Sequence, residues 1–460
     1  MKERERLGSR LGFILISAGC AVGMGNVWRF PYITGQYGGA AFVLLYLIAL
    51  VGLSLVPLVM EFAVGRAGGH DIAHSFKILK PGTKWYRIGY VQIAGNIILM
   101  LFYTTLAGWC LSYIPKMITG ELIGKNADEI GAAFGGMLAS PGTLILWMSI
   151  SLFLGILICS AGLQKGVERA SKIMMIALFV FMIVLVVRAL TLPNAIEGVK
   201  FYLVPDFGKL FEGGPGGFIA ICYAAIGQAF FTLSLGQGGM AIFGSYIDKK
   251  KSLMGESVII LILDCVVALL AGLIIFPITS SFGINPGEGA GLAFVTLPNI
   301  FNTMPFGQFW GVIFFIFLSM AALTTVIGVL ENIYAFLMEQ FGWTRKKTSF
   351  ILFVGLFIFS IPTTLGFNVW QGFAPLGEGT GVLDLLDFIV SNNILPLGAL
   401  VTLFFCTRKF GWGWDNFIKE ANTGSGIKFP MNFKVYATYI IPLIMLFIFV
   451  YEYIRRFILS

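Results

Sequence analysis

The stretch "SAGCAVGMGNVWRFP" (Ser17–Pro31) places Gly19, Gly23 and Gly25, then Asn26, Arg29 and a proline, inside an otherwise apolar segment. A second apolar segment, "GQAFFTLSLGQGGMAIFG" (Gly227–Gly244), has Gly236, Gly238 and Gly239 at its centre. Gly19 and Gly23 alone fit the small-residue packing common between membrane helices. Two interrupted segments in corresponding halves of a chain imply something more specific, a binding site at the midplane of a carrier. Where a helix is unwound, its freed carbonyls suit a hard cation and a half-helix N-terminus suits a carboxylate. Adjacent hydroxyls at Thr324 and Thr325 are further oxygen donors, although such residues more commonly bond back to their own helix. Asp264 and Glu331 are acids inside apolar runs, and acids there are functional candidates by default.

The elements that must position these residues are membrane helices. Hydrophobic residues make up 57% of the chain and charged ones only 12%, with a mean hydropathy of +0.88. Apolar runs of about 20 residues recur along the whole length and lack strand alternation, so the class is all-α and polytopic. About eleven spans are expected, near 11–37, 40–65, 87–115, 142–161, 168–191, 217–246, 255–282, 307–338, 348–366, 383–407 and 434–456. The basic residues fall in alternate loops, such as Arg66 to Arg87, Lys249 to Lys251 and Arg345 to Lys347. The positive-inside rule then places the N-terminus in the cytoplasm. It also accounts for the net charge of +8, leaving no basic aromatic face for nucleic acid. The first apolar segment is too long for a signal peptide and lacks a cleavage site, so it is expected to remain. The stretch Gly283 to Gly307 is too polar to span and is expected to form a hairpin over an outer vestibule.

Other chemistries find little support. The six cysteines all lie in apolar segments without paired spacing and read as small buried hydrophobes. His70 and His74 have the i,i+4 spacing of a zinc helix, but the sequence offers no obvious third ligand and places them in a basic loop. They are expected to be a solvated pair. Neither a serine-hydrolase elbow nor a phosphate-cradling loop occurs, so no enzyme is indicated.

"RLGFILISAGCAVGMGNVWRFPY", "GQAFFTLSLGQG" and "AALTTVIGVLEN" (Ala321–Asn332) together resemble the neurotransmitter:sodium symporter family, especially its bacterial amino-acid members. The resemblance covers essentially the whole chain. It implies a single transport domain with the leucine-transporter-like fold: inverted five-helix repeats over 1–191 and 217–407, an additional helix at 434–456, and broken spans one and six. It also implies two sodium ions. One sits on the carbonyl of Ala21 with Asn26, Thr232, Asp264 and the substrate carboxylate. The other sits on carbonyls of Gly19, Val22 and Ala321 with the hydroxyls of Thr324 and Thr325. The implied substrate pocket comprises Ala21, Met24, Gly25, Leu99, Tyr103, Phe231, Thr232, Ser234, Gln237, Thr325, Gly328 and Val329.

Gly23 stands where monoamine carriers have an aspartate, which leaves space for an amino acid's carboxylate beside Tyr103. Gln237 stands where relatives often have an apolar residue, and Gly328 leaves room for a large side chain. By the same resemblance Arg29 and Asp387 form an outer gate, and Arg4 and Glu339 an inner one beside Tyr246. Glu339 and Leu7 replace the usual aspartate and tryptophan there. Glu61 is expected to hold the unwound backbone of the sixth span. Asp264 replaces an asparagine near the anion site that chloride-dependent relatives build with Tyr46, Gln228 and Thr232, so chloride independence is expected. The resulting expectation is sodium-coupled import of a neutral, hydrophobic or aromatic amino acid across the inner membrane of a prokaryotic cell. A proton-coupled or uniporting carrier on the same scaffold is the alternative, and no sequence feature sets the oligomeric state.

Overall fold

The computed structural model describes residues 7–283 and 291–458. All regular structure among them is helical. In chain order the first half contains α1 (Arg10–Ala21), α2 (Gly25–Gln36), α3 (Ala40–Gly68), α4 (Ile72–Leu79), α5 (Tyr86–Ile118), α6 (Ala127–Ala139), α7 (Pro141–Ser160), α8 (Leu163–Leu190) and α9 (Ala195–Leu203). The second half contains α10 (Gly214–Thr232), α11 (Gly239–Ser245), α12 (Leu253–Ser281), α13 (Leu297–Thr303), α14 (Gly307–Phe341), α15 (Arg345–Leu365), α16 (Val382–Thr407), α17 (Trp414–Ala421) and α18 (Met431–Tyr451). Ten of these helices are long and apolar enough to cross a bilayer, and α1 with α2 makes an eleventh span, bent by 54°.

The long helices α5 and α14 form the centre and pack extensively against each other, with α1 laid across α14. Apolar side chains on the peripheral helices, such as Phe350, Phe359 and Leu443, are exposed, as expected of a surface that faces lipid. Two short helices occupy the basic loops, where the sequence suggested only connections. Asp71 caps α4, accepting from the Ala73 N–H at 2.8 Å. The second, α17, is fastened to the end of α3 by Glu420 and Arg66.

The stretch from Gly283 to Gly307 is partly helical. A π turn at Leu292–Thr296 runs into α13, and Phe294 packs edge-on to Trp28 and Trp109. The Tyr113 hydroxyl donates to the Phe294 carbonyl at 2.8 Å, so this segment is fixed against α5 close to the restart of the broken first span. The expected hairpin is described only from residue 291 onward.

Candidate substrate and ion site

The first span unwinds because Val22 turns extended (ψ 103°) and Gly23 and Met24 separate α1 from a π turn at Gly25–Arg29. π turns are often found at functional sites. The Gly23 N–H, freed from the helix, donates to Asn26 Oδ1 at 3.2 Å, and Gln228 Nε2 donates to the Gly25 carbonyl at 3.0 Å. The sixth span breaks between α10 and α11, where Ser234, Gly236 and Gly238 all have positive φ. At Gly236 the backbone presses against α16: an added Cβ would stand 2.6 Å from the Ala399 nitrogen. Only glycine fits there.

Three polar side chains hold this unwound segment. Glu61 Oε1 accepts from the Gly236 N–H at 2.5 Å, as the resemblance implied. Asn96 Nδ2 donates to the Gln237 carbonyl at 2.7 Å, and Asn332 Nδ2 reaches the same carbonyl at 3.4 Å. Asn96 and Asn332 were not assigned from the sequence, although buried amides in mid-span were a usable signal.

The oxygen donors gather in two places. Asn26 Nδ2 lies 2.8 Å from both Thr232 Oγ1 and Asp264 Oδ1, and Thr232 Oγ1 lies 3.0 Å from Asp264 Oδ2. Asn26, Thr232 and Asp264 are fully buried, and Ala21 ends α1 beside them. The second group joins α1 to α14. Thr324 Oγ1 is 3.3 Å from the Val22 carbonyl and 2.9 Å from that of Ala321, while Thr325 Oγ1 is 3.4 Å from Val22. A Cβ added at Gly19 would stand 3.4 Å from Thr324 Cβ. The hydroxyl, carboxylate and carbonyl oxygens of these groups suit a hard cation, with Asn26 turning its Nδ2 toward Thr232 and Asp264 and its Oδ1 toward the Gly23 N–H.

Between these groups lies a cavity of about 30 Å³, lined by Cys20, Ala21, Gly23, Gly25, Leu99, Tyr103, Phe231, Thr232, Ser234, Gln237, Thr325 and Leu395. An added Cβ at Gly23 would approach Thr325 Oγ1 to 2.5 Å and Tyr103 Oη to 2.8 Å. Tyr103 Oη accepts from the Met24 N–H at 3.2 Å, which leaves its own proton for an anion. Gln237 Oε1 is buried without a hydrogen-bond partner among the described residues. Cys20 and Leu395 join the lining unforeseen. Met24 and Val329 are buried outside it. Gly328 also lies outside it and serves close packing instead: a Cβ there would meet Cys20 Cβ at 2.7 Å.

The gates differ from expectation in their pairing. Arg29 and Asp387 are not within ion-pair distance of each other. The Arg29 guanidinium stacks 4.1 Å from the centre of the Phe231 ring, and Asp387 accepts from Ser391 Oγ at 2.6 Å. Each group thus has a different partner, Phe231 for Arg29 and Ser391 for Asp387. Arg4 lies outside the described residues. Its expected partner Glu339 accepts from the Asp71 N–H at 3.2 Å and sits 3.0 Å from His70 Nδ1. Tyr246 donates to Glu331 Oε1 at 3.1 Å, and both oxygens of Glu331 pair with Arg345 at 2.9 Å. Glu331, whose role the sequence left open, is therefore the centre of a buried ion pair.

A polytopic helical protein with two discontinuous spans, oxygen-rich polar groups at their breaks and a small cavity between them is a membrane transporter. It belongs to the sodium:neurotransmitter symporter family, whose model matches residues 4–133 and 130–457. The solved structure of MhsT in complex with L-phenylalanine is 38% identical, covers 97% of this chain and 99% of its own, and superposes with a TM-score of 0.86. YhdH of Bacillus subtilis, described as an uncharacterized sodium-dependent transporter, is 35% identical over 96% of both chains. The sodium-dependent serotonin transporter of Drosophila melanogaster is 28% identical over 98% of this chain and 76% of its own.

Proposed function

We propose that the chain imports a neutral, hydrophobic or aromatic amino acid together with two sodium ions, by alternating access and without chloride, across the inner membrane of a prokaryotic cell, its N-terminus cytoplasmic. The observation that carries this reading is the small cavity that the unwound backbone at Gly23 shares with Tyr103, Thr325 and Thr232, next to the Asn26, Thr232 and Asp264 cluster. A substrate carboxylate in that cavity would meet the Tyr103 hydroxyl and add a second anionic ligand to the first sodium site, beside Asp264. The similarity to MhsT, solved with L-phenylalanine, supports an amino acid of this kind. Leu99, Phe231 and Leu395 give the cavity its apolar side.

Sodium is cargo as well as ligand. Each charge carried inward gains about 2.3 kcal/mol per 100 mV, so two ions supply roughly 4.6 kcal/mol before their gradient is counted. That exceeds the 2.7 kcal/mol or so that corresponds to a hundredfold gradient of a neutral zwitterion. A cavity of about 30 Å³ holds little more than a water, so the substrate side chain enters as Phe231 and the Arg29 stacked on it move aside.

Uptake of labelled amino acids into proteoliposomes tests the reading, with external sodium replaced by choline and the pH gradient varied independently. Sodium-dependent accumulation, insensitive to the pH gradient, is the expected result. Accumulation that continues in choline and follows the pH gradient would instead establish the proton-coupled alternative, with buried Asp264 or Glu331 as its site.

A further inference from the structure

We propose that His70, Asp71, His74 and Glu339 form a regulatory site for a divalent transition metal of the zinc class at the end of the molecule where the inner gate is expected. From the sequence the two histidines lacked a third ligand. The fold supplies two, bringing Glu339, near the end of α14, against the start of α4. His70 Nδ1 lies 3.0 Å from Glu339 Oε2, and His74 Nδ1 lies 3.9 Å from the same oxygen. One ligand atom each from Asp71, His74 and Glu339 lie mutually within 4.8 Å.

These separations bracket what a tetrahedral ion needs. Bonds of about 2.0–2.2 Å place neighbouring donors about 3.3 Å apart. His70 lies outside the compact three-residue group and reaches it through Glu339, so its ring must turn toward the ion. Asp71 and His74 stand closer than two ligands would, their Oδ2 and Nδ1 being in direct hydrogen-bond contact. Metal entry displaces the proton they share, releases it to water and separates the two atoms by about an ångström. Asp71 Oδ1 stays on the Ala73 N–H at 2.8 Å, so the carboxylate remains anchored while Oδ2 turns to the ion.

The donor set selects the metal. Two imidazole nitrogens with two carboxylates favour zinc, and neighbours such as cobalt and nickel, over calcium or magnesium. Asp71 is fully buried, whereas the His70 and His74 side chains are 36% and 22% exposed, which gives the ion an entry path. Lys77, one turn along α4 from His74, faces the same cluster and opposes a cation, which argues for modest affinity.

The consequence rests on the proposed symport mechanism. Glu339 is the acid expected to close the inner gate with Arg4. A metal bridging it to α4 would clamp α14 to the connection between α3 and α4, and so slow the opening of that side.

Zinc titration of the full chain in detergent, against a chromophoric chelator, tests the site without any need for transport. One equivalent should bind, and cobalt at the same site should give the visible bands of a tetrahedral ion. His74→Gln and His70→Gln should each weaken binding at least about tenfold, while the metal-free thermal midpoint stays within a few degrees of wild type and so reports intact folding. Failure of the wild type to bind stoichiometric zinc, or binding that survives the double replacement, overturns the proposal and leaves a hydrogen-bonded network only. In proteoliposomes, zinc on the side of His70 should slow sodium-driven uptake by wild type and spare His70→Gln. Zinc binding without that inhibition overturns the clamp, and absence of sodium-driven uptake with zinc binding intact counts against the symport reading alone.

Discussion

The Asn26 amide donates to Asp264 Oδ1 across 2.8 Å, joining the restart of the broken first span to the middle of α12. Thr232 completes the contact from α10. Gln228 Oε1 is buried without a hydrogen-bond partner among the described residues. On the proposed reading, a carboxylate built into this group would supply the negative charge that chloride-dependent relatives are expected to take from solution. Uptake should therefore be unchanged when chloride is replaced by gluconate. Asp264→Asn should lose at least about tenfold in rate without chloride and recover when it is added, because the buried sodium otherwise lacks its counter-charge. An Asp264→Asn protein that works equally well with and without chloride would sink the idea.

Tyr103 should be a strong determinant of substrate affinity. Its hydroxyl accepts from the Met24 N–H and, lining the cavity, is placed to donate to a carboxylate there. A hydrogen bond to a charged group contributes about 1.5–3 kcal/mol. Tyr103→Phe should accordingly weaken binding about ten- to a hundredfold with sodium affinity at the second site little altered. Gly23→Ala should do at least as much by filling the space itself. Scintillation-proximity binding of a labelled amino acid over a range of sodium concentrations measures both.

Glu61 should matter through the backbone it holds. Replacing it by leucine leaves the buried Gly236 N–H without its acceptor, at a cost of about 1–3 kcal/mol. The loss falls on the one segment that must keep Ser234, Gly236 and Gly238 in left-handed conformations. Uptake should drop more than tenfold in Glu61→Leu, and thermal stability should fall by several degrees. Glu61→Gln, which retains an acceptor oxygen, should recover a measurable part of both. Equal loss in the two variants would mean that the charge, not the acceptor, is what the site requires.

What the sequence made legible follows from how far each signal reaches. Runs of apolar residues define helices locally, so the span expected at 307–338 appears as Gly307–Phe341. Glycines and a proline likewise marked the break after Ala21, because unwinding is a property of the residues that unwind. Partnerships across the chain were legible only through the family pattern, and that pattern was incomplete. It placed Asn26, Thr232 and Asp264 together but not Asn96 on the Gln237 carbonyl, nor His70 beside Glu339. Gly328 shows the limit from the other side. A glycine facing a pocket and a glycine letting two helices touch have the same sequence, and the contact with Cys20 decides between them.

Arg66 should be the most stability-critical charge outside the transport path. Its side chain is 1% exposed and forms three hydrogen bonds: Nε to Glu420 Oε1 at 2.7 Å, Nη1 to the Lys251 carbonyl at 2.7 Å, and Nη2 to the Glu420 carbonyl. Together these tie the end of α3 to α17 and to the loop before α12. Removing one member of a buried ion pair costs about 3–5 kcal/mol, because the other charge stays buried and unpaired. Glu420 keeps Lys249 at 3.2 Å, so Arg66→Met should fall toward the lower end of that range. The orphaned Lys251 carbonyl adds a smaller cost. Lysine at this position keeps the charge but cannot reach three acceptors with a planar fork, so Arg66→Lys should recover only part of the loss. The double variant Arg66→Met/Glu420→Leu removes both charges and should be more stable than Arg66→Met alone. Thermal unfolding followed by size-exclusion chromatography in detergent ranks all four proteins. A double variant no more stable than the single one would show that the backbone carbonyls, rather than the carboxylate, are what Arg66 chiefly satisfies.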